Sequence, residues 1–98
     1  MNSERSITWQ RRAPDRPPVV IKNGLEEPYG GTVADLVAAT KALTLISRDG
    51  AEVQVVVRRT VHADAWEGEI VRVGPTSAGL LIGATVSFEA SHIQGGTL

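Results

Sequence analysis

The sequence predicts a mainly β protein: a small curled antiparallel sheet, or a small barrel, of about five strands with one short helix. Apolar and polar residues alternate from Leu43 to Arg58 and again from Val86 to Glu89, which is the period of a half-buried strand. Pairs of turn formers, above all Asp49 and Gly50, separate these runs. Only the segment after Thr32 carries the three- and four-residue apolar spacing of a helix.

A chain of 98 residues is large enough for one hydrophobic core and too small for two. Its 42% apolar and 21% charged content fits a globular domain. The aromatic residues are Trp9, Tyr29, Trp66 and Phe88, so valine, leucine and isoleucine must fill most of the interior. The absence of cysteine excludes disulfides, thiolate metal ligands and a cysteine nucleophile. Residues 1–10 are too polar for a signal peptide, and no apolar stretch has the length to cross a bilayer. The expectation is a cytoplasmic protein with no membrane partner.

Charge divides the chain in two. Residues 1–23 carry Arg5, Arg11, Arg12, Arg16 and Lys22 against Glu4 and Asp15, whereas residues 24–98 carry five cations against nine carboxylates. The division predicts a flexible, basic, proline-containing arm over residues 1–18 and a single, mildly acidic β-rich domain over residues 19–98. Pro14, Pro17 and Pro18 remove backbone donors and bias their predecessors to extended conformations. Ile7 and Trp9 are the arm's apolar anchors, for its own body or for a partner.

Val19, Val20 and Ile21 form the first strand, with Pro17 and Pro18 placing it at an edge or opening position. Residues 23–31, NGLEEPYGG, read as a loop. Thr32 caps a helix of about two turns that ends near Ala39 to Lys41, with Asp35 in its first turn and Leu36 and Val37 toward the sheet. Next comes a hairpin around Asp49 and Gly50, with Leu43 and Leu45 facing inward against Val53, Val55 and Val57. Ile46 and Val56 then fall on the opposite face, to be partly covered by the helix or the arm.

Residues 66–74 form a strand with broken alternation, since Trp66 and Ile70 have one parity and Val71 and Val73 the other; a bulge near Gly68 accounts for the change. Gly74, Pro75, Thr76 and Ser77 mark a connection. Residues 83–93 then run through GATVSF to His92 and Ile93. A glycine turn ahead of V-x-F, followed by a short helical turn, resembles the late strand of small SH3-like barrels. That resemblance implies a barrel with its binding surface beside the loops, and it covers only this segment. The closing QGGTL reads as a frayed end.

No motif specifies chemistry. His62 and Asp64 share a strand face, and with His92 they could serve as acid and base or as metal ligands, yet no third ligand is specified and the plainer reading is surface or structural histidines. Glu67 and Glu69 also share a face, where solvation explains them. Ser47, Ser77, Ser87 and Ser91 lack the setting of a nucleophile. The YGGT of residues 29–32 matches no phosphate loop, so no catalytic residue, metal or cofactor is assigned. Arg58 and Arg59 should point to opposite sides of a continuing strand.

The candidate interaction residues are therefore Trp9, Arg11, Arg12, Arg16 and Trp66, with Trp66 either core or interface anchor. The leading functional expectation is a protein-interaction or adaptor domain that pairs through edge strands or apolar contacts, self-association included. A nucleic-acid-associated protein using the basic arm is the second reading. A small hydrolase or metal-binding enzyme using His62 and His92 is the third.

Overall fold

A computed structural model describes residues 8–74 and 80–98. Ile7 and the connection expected at residues 75–77 lie outside the described residues. The strands are β1 (Val19–Lys22), β2 (Leu25–Pro28), β3 (Ala42–Ile46), β4 (Glu52–His62), β5 (Ala65–Val73), β6 (Thr85–Glu89) and β7 (Gly95–Thr97). One helix, α1 (Val33–Ala39), and a 3-10 turn, Ala90–His92, complete the elements of the described residues. The seven strands form one sheet in the order β2-β1-β7-β3-β4-β5-β6, with β1 and β7 parallel and all other neighbours antiparallel.

This corrects the expectation of a curled antiparallel sheet or SH3-like small barrel of five strands. The sheet is mixed and open, with β2 and β6 as its two edges and no ladder joining them. The V-x-F segment does form β6 and does lead into a helical turn. Closure, however, requires the edge strands to meet, and β2 lies beyond β1, remote from β6. The first strand is also interior, flanked by β2 and β7.

The two additional strands come from segments read as loop and fray. Asn23 and Gly24 have φ of 54° and 80°, the left-handed pair of a tight hairpin turn, and they fold residues 25–28 back on β1. The terminal glycines slot between β1 and β3 as β7.

Elsewhere local chemistry acts as expected. The Thr32 hydroxyl accepts from the Asp35 amide at 3.1 Å to start α1, which ends at Ala39 and buries Leu36 completely. The β3–β4 turn closes through Gly50 N–H to Ser47 O at 2.9 Å and Ala51 N–H to Ser47 Oγ at 3.0 Å. Leu43 and Leu45 face Val55 and Val53 in register. With Val20, Leu36, Ile70, Val86, Phe88, Ile93, Trp9 and Trp66 they form the core on one side of the sheet. Because α1 joins that core, it covers the Leu43 face and not the Ile46 and Val56 face.

The broken alternation of β5 has its source further along than Gly68. Gln54 pairs with Arg72 while Val55 pairs with Ile70, leaving Val71 as an additional residue. Ile70 is buried and Val73 still packs against the core, so the bulge changes parity between them.

Candidate functional site

Residues 8–18 lie against the body through hydrogen bonds to two stations. At the first, Gln10 N–H donates to Ile46 O at 2.8 Å and Arg48 N–H donates to Thr8 O at 2.9 Å, so Trp9 sits opposite Ser47 in an antiparallel bridge. The arm thereby takes the side of β3 that β7 leaves after Thr44. At the second station the Trp9 indole, 4% exposed, donates from Nε1 to Ser87 O on β6 at 3.0 Å.

Arg12 fastens the arm to the 3-10 turn. Its amide donates to Ser91 O at 2.7 Å, and its guanidinium donates to Ile93 O at 3.0 Å, Arg16 O at 2.7 Å and Ala90 O at 3.5 Å. A fork of fixed N–H donors suits several carbonyls at once. Arg11 Nη1 faces Glu89 Oε1 at 3.4 Å and donates to Ser91 Oγ. Both charged side chains are more than half exposed, so solvent weakens this pair. Arg16 is exposed and gives its carbonyl to Arg12.

Trp66 lies in the core at 4% exposure, its ring centroid 6.2 Å from that of Phe88. The two tryptophans of the candidate set are thus both interior. Arg58 and Arg59 come to one face, against the expectation for a regular strand. Val57 pairs with Gly68 and Arg59 with Glu67, so the bulge sets both arginines against a single stretch of β5. Arg58 pairs with Glu69 at 3.2 Å and Arg59 with Glu67 at 3.0 Å, and these glutamates alternate along one strand.

His62 and Asp64 are exposed at the β4–β5 turn, and among the described residues no three His, Asp or Glu side chains are grouped to hold a metal. His92 instead caps the 3-10 turn: its Nδ1 accepts from Glu89 N–H at 3.0 Å while the Glu89 carboxylate accepts from the His92 amide. Burial lowers the His92 pKa below 6.5, Arg11 lowers it further, and Glu89 opposes both. The folded state favours neutral imidazole, whose Nδ1 lone pair the cap requires. His92 therefore contributes stability above pH 6.5 that is lost as pH falls through its depressed value. Urea unfolding at several pH values from 7.5 down to 5 should show the wild type losing more stability than His92→Gln; parallel losses would refute the assignment.

Both sheet edges are obstructed. Tyr29 N–H donates to Pro18 O, which sets the phase of β1–β2 pairing so that Glu26 and Pro28 turn their backbone outward. Pro28 has no donor and Glu26 is charged, both obstacles to an added strand. On β6, the bonds Ala90 N–H to Asp64 O and Ile70 N–H to Ala84 O turn Thr85, Ser87 and Glu89 outward. Trp9 occupies the Ser87 carbonyl and His92 the Glu89 amide.

Among the described residues, none packs over the sheet face opposite the core. Val19 and Ile21 on β1 are 41% and 39% exposed there; across Gly95 and Thr97 of β7 lie half-buried Thr44 and Ala42 on β3, with Val56 beyond them on β4 and Ile46 at the far end of β3. The uninterrupted Val-Val-Ile run was the signal for an apolar residue on each face, and reading it only as a strand passed over the outer one. Among the described residues no helix is long and apolar enough to cross a membrane. No family model, curated protein or solved structure matches the chain. The class that the described residues define is an open, mixed seven-stranded sheet with one short helix packed on it.

Proposed function

We propose that this is a protein-interaction domain that associates with a second copy of itself through the uncovered sheet face. The observation that carries the reading is the apolar group of Val19, Ile21, Ala42 and Val56 on a face where solvated sheets place polar residues. The rest of that face supports a like partner. Its Arg58–Glu69 and Arg59–Glu67 pairs are charge-balanced, so two copies related by a two-fold axis bring no single-sign field together. The obstruction of both edges favours face contact over strand addition. The engagement of Arg11 and Arg12 within the chain counts against the nucleic-acid reading of the basic arm, and the use of His92 in the 3-10 cap counts against its pairing with His62 in an enzyme.

Sedimentation velocity over a range of concentrations tests this. The wild type should dimerise, and V19E/I21E should weaken dimerisation by about tenfold or more, since each lost apolar contact is worth about 1 kcal/mol and a buried carboxylate adds to the loss. A wild type that stays monomeric at every concentration would overturn the proposal.

A further inference from the structure

We infer that the seat of the N-terminal arm also receives the arm of a second copy, so that two chains exchange residues 8–12 reciprocally. The bonds from Thr8, Trp9, Gln10, Arg11 and Arg12 to the body reach residues 46–48 and 87–94. Each of these is equally available between copies, because nothing in its geometry depends on the two partners sharing a chain. The local bonds that hold the arm's exit are Arg16 N–H to Ala13 O at 3.0 Å and the Arg12 guanidinium to Arg16 O at 2.7 Å. Exchange therefore gives up one turn and keeps the seat.

The exit is built to open. Residues 13–17 are exposed, and once extended they span roughly 17 Å. Pro17 biases Arg16 to an extended conformation, which favours a straight crossing.

Charge complementarity selects the occupant. The described arm, residues 8–18, carries Arg11, Arg12 and Arg16 against Asp15, whereas residues 19–98 carry six cations against nine carboxylates, so one copy's arm is drawn to another's body. The seat also fits this arm's own residues: an indole donor for Ser87 O, a guanidinium for Ile93 O and Ala90 O, and a second cation for Glu89. This contact is separate from the sheet face.

Directed cross-linking reads the exchange. Thr8 and Arg48 are both exposed and stand opposite each other beside the Trp9–Ser47 bridge, a separation that a disulfide spans, and the chain has no other cysteine. Full-length T8C, isotopically labelled, is mixed with R48C at high concentration, warmed, cooled and mildly oxidised. Mass spectrometry should find the mixed disulfide dimer in at least tenfold excess over that formed by T8C mixed with E26C, whose thiol lies on the far edge strand. Equal yields in the two mixtures would overturn the inference. Repeating the mixture in the V19E/I21E background separates the two contacts: exchange persists there if the arm acts independently, and its loss would show that the sheet face is required.

Discussion

Gly95→Ala is expected to detach the β1–β2 hairpin from the sheet. A Cβ at Gly95 would run into the carbonyl oxygen of Val19, its parallel neighbour. The obstacle is backbone, so no rotamer change relieves it. The neighbouring Gly96 is confined to a lesser degree, with a Cβ meeting Thr40 Cγ2 at 2.6 Å and Ala42 O at 2.9 Å. The consequence is large because the strand order makes β7 the ladder through which β1 and β2 join the other strands. Its pairing with β1 extends over Gly95, Gly96 and Thr97.

Overpacking of this kind costs about 3 kcal/mol or more, a substantial part of the ~5–15 kcal/mol that holds a small domain. The melting temperature should fall by roughly 15 °C. Amide exchange should accelerate selectively over residues 19–28, whereas the β3–β4 hairpin keeps its relative protection. Wild-type protection of residues 19–28 in Gly95→Ala would disprove the close approach of β1 to β7.

Trp9→Ala should be the other severe substitution, with a loss of about 3–5 kcal/mol. The indole is one of two tryptophans in a core poor in aromatics, and its removal leaves a cavity together with an unpartnered Ser87 carbonyl. Trp9→Phe separates these causes. It keeps a ring in the site and loses the donor, so its cost should be about 1–2 kcal/mol. Chemical denaturation followed by Trp66 fluorescence measures both variants. A Trp9→Ala protein within about 1 kcal/mol of wild type would mean that the arm is not part of the folded unit.

These expectations concern the segments that were least legible. Asn23-Gly24 is a strong hairpin signal, but LEEP after it has one aliphatic residue and a proline, so its pattern argued against a strand. It pairs because Pro28 stands where the backbone faces outward and needs no donor. QGGTL offers no side-chain period at all. Its glycines form a strand because of close backbone approach, which depends on β1 arriving from 76 residues earlier in the chain, as Val20 does opposite Gly96.

The candidate site was legible to a smaller degree. Trp9, Arg11 and Arg12 were conspicuous, but charge and bulk in a sequence do not distinguish an arm that reaches for a partner from one whose indole enters the core. Arg58 and Arg59 changed sides for a comparable reason. A bulge is a property of a strand pair, and the extra residue of β4 is recognisable only against Gly68 and Glu67 across the ladder. The open face followed from where α1 settled, which the helix's own apolar spacing left undecided between the two sides of the sheet.

The β3–β4 hairpin and its inward row, the Thr32-capped helix and the V-x-F strand were legible because turn chemistry, capping and side-chain period act over a few residues. That the sheet has seven strands and stays open, that the arm's tryptophan is interior, and that Val19 and Ile21 are exposed emerges only in the folded chain. Those outcomes depend on backbone pairings and packing between residues far apart in the chain. Such contacts are selected by the shape and hydrogen-bonding needs of the whole molecule, and they leave little periodic trace in the residues that make them.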